Sequence, residues 1–224
     1  MRIPFSDSRL RRLPCGRFLA GAVAALCAFA LPFGGSAATP APDTEQTVDL
    51  SEYSLQENLH LPEVPKKQQS YIKEYMLREA RSLQKMGYKI ETMRRGEVVI
   101  ASIPASKLFA PNDSTLLPGA AALLKNFLPY FRVPGRFKVI LAMHSDDTGS
   151  EPYLYELTER RIVSLYDYFD ENARQTELLM GYPMGPSEPL APNDSRQRRD
   201  DNRRLEIYIV PGPVLIAEAK SKRV

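Results

Sequence analysis

Residues 136–161 read RFKVILAMHSDDTGSEPYLYELTERR and combine an apolar segment, an acidic loop and an amphipathic segment. The first part, RFKVILAM, is short and almost continuously apolar, which is typical of a buried strand. From Tyr153 onward the apolar side chains recur at helical spacing, which predicts a helix over residues 153–171. Nothing in the loop between them resembles a catalytic nucleophile. The stretch therefore predicts a strand, a polar loop and a helix in direct succession.

The segments on either side continue the alternation of strands and helices. The predicted elements are a helix at 66–86 that ends at Gly87, a hairpin of strands at 88–92 and 97–103, a helix at 116–131, a short strand at 177–182 and a strand at 204–210. Two helices packed against one sheet are the simplest arrangement of such an alternation. The predicted class is therefore α+β.

The N-terminal residues have the order of a secretory signal peptide. A basic segment precedes an apolar run of 16 residues at 18–33, and small residues follow at Ser36 and Ala38. We therefore expect residues 1–38 to be a signal peptide that is cleaved before Thr39. An uncleaved membrane anchor is the alternative, although a membrane span needs about 20 apolar residues.

Both cysteines, Cys15 and Cys27, lie within this predicted signal peptide. A lipid anchor at Cys27 is a further alternative, but Leu26 is larger than the residue expected before a lipidated cysteine. The exported chain would have no thiol, no disulfide and no thiolate metal site, so an apolar core must stabilise it.

The charge of the chain argues against broad binding to nucleic acid. The formal net charge is +3, from 30 Lys and Arg against 27 Asp and Glu. Five of these arginines and one aspartate lie in residues 1–38, which leaves 25 basic and 26 acidic residues. A nearly neutral chain lacks the basic face that releases counterions from phosphates.

Composition and pattern divide the chain into five segments. We predict a signal peptide at 1–38, a proline-rich extended tether at 39–65, a helix and the first hairpin strand at 66–95, the main domain at 96–211 and a basic, mobile tail at 212–224.

An arginine interrupts the apolar stripe of the helix at 153–171. Arg161 lies four residues after Leu157 and four before Leu165, so helical spacing places it on the face that packs against the sheet. An arginine keeps its charge when buried, so it requires an acidic partner or a bound anion. Asp146 and Asp147 in the preceding loop are the nearest candidate partners. Two interpretations follow: a structural salt bridge, or an Asp and an Arg that together hold a zwitterionic ligand.

The same residues resemble the OmpA-like peptidoglycan-binding domain, which is also found in peptidoglycan-associated lipoproteins and flagellar stator proteins. The family motif GHTDxxGxxxYNxxLSxxRA corresponds to MHSDDTGSEPYLYELTERRI at 143–162. The family's opening resembles LFAPNDSTLL at 108–117, and its closing NxTxxGRxxNRRVEI resembles NDSRQRRDDNRRLEI at 193–207. The three motifs occur in the family's order over roughly residues 96–211.

The resemblance implies a βαβαβ two-layer sandwich in which two helices pack on one mixed sheet. It also implies that Asp146 receives the ammonium group of diaminopimelate in the peptidoglycan stem peptide, and that Arg161 receives the carboxylate at the same end. By the same alignment Thr148, Asn112 and Arg203 line the pocket. Asn202 is expected to organise the closing turn instead.

Several positions depart from the family motif. Met143 replaces a glycine, Ser145 replaces a threonine, and Leu154 replaces an asparagine. Arg198 stands in place of the glycine of the GR pair, and GYPMG at 181–185 replaces the usual GxGE turn. We expect Met143 to narrow the approach to the pocket and Leu154 to remove one polar contact. Both charged anchors are retained.

The leading hypothesis is a noncatalytic cell-envelope protein of the periplasm that binds peptidoglycan, with the outer membrane or the cell wall as its place of attachment. The alternative is an OmpA-fold structural adaptor of an envelope assembly that has lost wall binding and binds envelope protein partners. A homodimer is compatible with either. An enzyme is disfavoured because His60 and His144 are isolated from other catalytic groups. We expect no cofactor and no metal site.

Overall fold

The computed structural model describes residues 54–60 and 66–221. The predicted signal peptide and most of the predicted tether lie outside these residues. The helices are α1 (Leu55–Asn58), α2 (Lys66–Lys85), α3 (Ala120–Leu124), α4 (Glu151–Asn172), α5 (Arg196–Asn202) and α6 (Pro213–Ser221); the strands are β1 (Lys89–Met93), β2 (Val98–Pro104), β3 (Phe137–His144), β4 (Leu179–Gly185) and β5 (Arg204–Pro211).

The strands form one mixed sheet with the order β1-β2-β5-β3-β4. Only β3 and β4 run parallel within this sheet, and every other neighbouring pair is antiparallel. The predicted hairpin is confirmed as β1 and β2, whose turn places Arg94, Arg95 and Gly96 at positive φ. A mixed sheet with packed helices confirms the α+β prediction.

The main core lies between the sheet and the helices α2, α4 and α6. Alternate residues of the central strands β3 and β5 point into it, among them Leu141 and Ile207. Helix α4 lies very close to β4 at Gly181, where an added Cβ atom would be 2.4 Å from the Cγ2 atom of Ile162. A glycine is therefore required there for α4 to reach its position over the sheet.

The predicted helix at 116–131 is partly wrong. Helix α3 begins only at Ala120 and continues as a 3-10 helix over Lys125–Phe131. Leu116 instead forms an isolated β-bridge with Phe109. The later start has a local cause, because Pro118 disfavours helical backbone angles at the residue before it.

The prediction of a mobile tail at 212–224 is wrong for residues 213–221. Most of this segment is helix α6, and its residues Leu215, Ile216 and Ala219 are buried in the main core. Glu218 of α6 pairs with Arg136 at the start of β3. These apolar residues explain why the segment packs against the core. The basic residues at the end of the chain had favoured the prediction of a mobile tail.

Part of the predicted tether is packed against the second face of the sheet. Helix α1 begins with a capping box, in which Ser54 and Glu57 bond each other's backbone N–H groups. Leu55 and Leu59 share a buried cluster that includes Ile140 of β3. The prediction of a uniformly extended segment at 39–65 is therefore wrong for these residues.

No helix within residues 54–60 and 66–221 has both the length and the apolar character that a membrane span requires.

Candidate functional site

The loop between β3 and α4 carries the acidic end of the candidate site. Ser145 continues the line of strand β3, since its N–H group donates to the carbonyl of Gly185 at 2.8 Å. The Ser145 hydroxyl donates to the Asp146 carbonyl at 3.0 Å. These two contacts fix the backbone where Asp146 leaves the sheet.

The Asp146 carboxylate is buried and has partners on both oxygens. Oδ1 accepts hydrogen bonds from the Thr148 N–H group at 2.9 Å and from the Thr148 hydroxyl at 2.6 Å. Oδ2 pairs with the Nη1 group of Arg203, and the Nη2 group of the same arginine pairs with Asp200. The negative charge of Asp146 is thus balanced within the protein.

Arg161 is buried on α4, as its position in the apolar stripe predicts. Its Nε group donates to the carbonyl of Asp113 at 2.9 Å and its Nη2 group to the carbonyl of Ala110 at 3.2 Å. The guanidinium carbon lies 5.0 Å from the centre of the Phe109 ring. Burial lowers the pKa of Arg161 from its ordinary value, which the nearby Tyr153 and Asp113 oppose.

The first of the two interpretations, a structural salt bridge between Asp146 and Arg161, is wrong. Asp146 pairs with Arg203, and Arg161 is held by backbone carbonyls. Within residues 54–60 and 66–221, Arg161 has no ion pair with a carboxylate. Asp147, the other candidate partner, is exposed. Asp146 and Asp147 were candidate partners of Arg161 because they are close to it in the sequence. The observed partner of Asp146 is Arg203, which lies 57 positions further along the chain.

The structure therefore arranges the five predicted site residues in two groups. One group joins Asp146, Thr148 and Arg203 by direct contacts. The other contains Arg161 and the loop at 110–113, in which Asn112 is exposed and has a φ of 59°. The contacts described above do not link the Asn112 side chain to Arg161.

The departures from the family motif have structural explanations. Met143 is fully buried in the main core, so the expectation that it narrows the pocket is wrong. Leu154 packs against the loop, since a Cβ atom added at Gly149 would lie 3.2 Å from its Cδ2 atom. The Asn202 side chain bonds the backbone of Leu190 and Ala191, which confirms its predicted role in the closing turn.

A buried polar cluster on the second face of the sheet was not predicted. Glu206 pairs with Arg204 at 2.7 Å, accepts a hydrogen bond from the Tyr208 hydroxyl and lies 3.5 Å from the Nε2 atom of His144. Burial alone would raise the pKa of Glu206, but His144, Tyr208 and Arg204 together lower it to about 2. The alternation of β5 places Arg204, Glu206 and Tyr208 on one face, so the sequence contained the signal. His144 is buried beside this cluster, and neither of its ring nitrogens has a hydrogen-bond partner within residues 54–60 and 66–221.

Within residues 54–60 and 66–221, no group of three or more His, Cys, Asp or Glu side chains is placed to hold a metal ion.

Comparison with known proteins gives three informative matches. No family model matches the chain. It is 31% identical over 127 residues to the outer-membrane lipoprotein YfiB of Pseudomonas aeruginosa, a match that covers 57% of this chain and 73% of YfiB. It is 24% identical over 136 residues to the lipoprotein YiaD of Escherichia coli, covering 60% of this chain and 62% of YiaD.

A solved structure shares the fold. A MotB-like protein of Desulfovibrio vulgaris superposes with a TM-score of 0.56 at 24% identity, over 64% of this chain and 98% of that one. The match spans only 62% of the length of YiaD, which is less than two thirds of that protein. The identity to YfiB over most of its length and the three motifs of the OmpA-like pattern lead to the same assignment: the chain belongs to the OmpA-like domain family.

Proposed function

We propose that this chain is a noncatalytic cell-envelope protein that binds peptidoglycan through the diaminopimelate of the stem peptide. The observation that carries the proposal is that the buried guanidinium of Arg161 forms no ion pair with a carboxylate among residues 54–60 and 66–221. A buried charge of this kind is costly unless an opposite charge can reach it.

The bonding of Arg161 suits a carboxylate ligand. Two of its N–H groups are used by the Asp113 and Ala110 carbonyls, which orient the planar guanidinium. An arginine has five N–H groups in a fixed fork that matches the two oxygens of a carboxylate. The remaining N–H groups of this oriented guanidinium can donate to a ligand carboxylate, and its positive charge attracts the carboxylate.

Asp146 supplies the opposite charge for an ammonium group. Its Oδ1 atom is fixed by Thr148, which leaves Oδ2 as the oxygen that a cation approaches. Diaminopimelate carries an ammonium and a carboxylate on one carbon atom, so it offers the two charges that Asp146 and Arg161 complement. Thr148, Asn112 and Arg203 complete the proposed pocket.

The location we propose is the periplasm, at the outer membrane or the cell wall. The relative YfiB is named as an outer-membrane lipoprotein, and residues 1–38 have the order of a signal peptide. Both observations support the export of this chain to the envelope.

A second candidate function rests on the pairing of Asp146 with Arg203. Because the protein already neutralises Asp146, the fold is also compatible with an adaptor that has lost wall binding and binds other envelope proteins or a second copy of itself. The two functions differ in what Arg161 does: a ligand anchor in the first and a structural tie between α4 and the loop at 110–113 in the second.

Cosedimentation with purified peptidoglycan tests the proposal. The protein should sediment with walls that contain diaminopimelate and much less with walls that contain lysine, which lacks the terminal carboxylate. Arg161→Ala should abolish sedimentation. Arg160→Ala is the matched control, because Arg160 is exposed on the same helix and pairs only with Glu156 among the described residues.

The outcomes separate the two functions. Sedimentation lost in a folded Arg161→Ala protein and kept in Arg160→Ala supports wall binding. Failure of the unaltered protein to sediment with either wall overturns the proposal and favours the adaptor.

A further inference from the structure

We infer that Arg203 is an internal cation that occupies Asp146 in the free protein, and that Asp200 is the anchor onto which Arg203 withdraws when a ligand ammonium takes its place. The inference rests on the proposed function and assigns a positioning role to Asp200, a residue outside the predicted pocket.

The two carboxylate oxygens of Asp146 have different partners. Thr148 donates twice to Oδ1, from its N–H group and from its hydroxyl. Oδ2 is held by the Nη1 group of Arg203. An arriving ammonium group that is to pair with Oδ2 must therefore compete with Arg203.

The three charged side chains differ in their exposure. The Asp146 side chain is 3% exposed, whereas that of Arg203 is 34% exposed and that of Asp200 is 48% exposed. Arg203 and Asp200 thus form the outer part of the group, and Asp146 the inner part. A ligand ammonium that replaces Arg203 from the solvent side keeps the buried Asp146 charge paired, so the exchange avoids the cost of an unpaired buried charge.

Arg203 divides its donors between two carboxylates. Nη1 pairs with Asp146 and Nη2 pairs with Asp200, so each carboxylate receives one nitrogen of the fork. When a ligand ammonium displaces Nη1 from Asp146, the exposed Asp200 carboxylate can accept both nitrogens as a bidentate pair, which is a stronger interaction. Without Asp200, the displaced Nη1 has no such partner. Asp200 therefore offsets part of the cost of displacing Arg203 and favours entry of the ligand.

The neighbouring aspartate provides a matched control. Asp201 accepts a hydrogen bond from Gln197 at 3.2 Å and is exposed, like Asp200. Both residues belong to helix α5, and replacing either by asparagine removes one negative charge. Of these two aspartates, only Asp200 pairs with Arg203, so a difference between the two variants reports on that contact and not on net charge.

The test is a calorimetric titration of the full chain with two probes. One is a stem tripeptide with diaminopimelate whose side-chain amine is free, and the other is the same peptide with that amine acetylated. Asp200→Asn should weaken binding of the free-amine peptide by about threefold, which is the scale of one exposed ion pair. It should not change binding of the acetylated peptide. Asp201→Asn should change neither.

A double-variant comparison completes the test. In an Arg203→Ala background, Asp200→Asn should have no further effect on binding, because the group that it positions is absent. Equal binding of the free-amine peptide by the Asp200→Asn and Asp201→Asn proteins would overturn the inference and leave wall binding intact. No binding of either peptide by the unaltered protein would overturn the proposed function itself, and this inference with it.

Discussion

The two charged ends of the candidate site are built in opposite ways. Arg161 is a buried cation that backbone carbonyls orient and that forms no ion pair with a carboxylate among residues 54–60 and 66–221. Asp146 is a buried anion whose two oxygens already have partners, a threonine and an arginine. A ligand carboxylate at Arg161 therefore adds an ion pair, whereas a ligand ammonium at Asp146 exchanges one ion pair for another. We expect the cationic end to contribute most of the binding free energy.

The largest effect on binding should come from changing the fork of Arg161 while keeping its charge. The lysine ammonium lacks the planar fork of arginine, so it cannot donate to both backbone carbonyls and to a ligand carboxylate at the same time. Hydrogen bonds to charged groups contribute about 1.5–3 kcal/mol, so Arg161→Lys should weaken binding of a diaminopimelate peptide by roughly tenfold to a hundredfold. Calorimetric titration measures the change. Arg160→Lys, on the exposed side of the helix, should leave the affinity unchanged, and equal effects of the two variants would contradict the assignment.

A smaller effect should follow from neutralising Asp146. Asp146→Asn keeps an oxygen that accepts from Thr148 but removes the charge that an ammonium group needs. A ligand ammonium only replaces Arg203 as the partner of Asp146. The loss of affinity should therefore be about fivefold, within the range expected for an exchanged ion pair. The same titration checks this value. A loss as large as that of Arg161→Lys would show that the two ends contribute equally.

The buried polar cluster around Glu206 should have little effect on ligand binding, but it should affect the stability of the fold. The pKa of Glu206 is about 2 when folded, below its ordinary value of 4.5. A lowered pKa stabilises the fold above about pH 4.5, and this contribution is lost as the pH falls toward 2. Glu206→Gln should therefore reduce the free energy of unfolding at neutral pH by about 3 kcal/mol.

Denaturant unfolding between pH 7 and pH 2 measures this contribution. The unaltered protein should lose stability across the acidic range, and the difference between it and Glu206→Gln should shrink as the pH falls. Glu91→Gln is the control, since Glu91 pairs with Lys89 in a highly exposed position. A constant difference at all pH values would contradict a lowered pKa of Glu206.

The smallest effect on binding should come from the second face of the sheet. Leu59→Ala removes a buried side chain from the cluster that holds α1 and should cost about 2 kcal/mol of folding stability. Binding of the peptide should not change, because this face lies behind the strand that leads to Asp146. Leu190→Ala, at a half-exposed leucine, should change neither property. Weaker binding by Leu59→Ala would show that α1 influences the site.

The sequence predicted those features that depend on local periodicity. The position of Arg161 follows from its spacing to Leu157 and Leu165, because a helix fixes which residues share a face. The hairpin and the central strands follow from alternation and from short apolar runs. These rules act over a few residues, so the linear sequence contains the information they need.

The features that the sequence did not predict depend on contacts between distant residues. Arg203 reaches Asp146 only because β5 lies beside β3 in the sheet, an order that periodicity does not determine. Helices α1 and α6 acquire their structure by packing on the two faces of the sheet. Their sequences are short, and one is rich in charge near its end, so tertiary contacts decide their conformation.

Calorimetric titration can separate the contributions of the two charged ends. The unaltered protein and Asp146→Asn are each titrated with three forms of one diaminopimelate stem peptide: unmodified, acetylated at the side-chain amine, and amidated at the neighbouring carboxylate. In the unaltered protein, amidation should weaken binding more than acetylation does. In Asp146→Asn, acetylation should have no further effect, whereas amidation should still weaken binding strongly. Two results would contradict the assignment of the two charged ends. One is that acetylation weakens the affinity of Asp146→Asn for the peptide as much as that of the unaltered protein. The other is that amidation changes neither affinity.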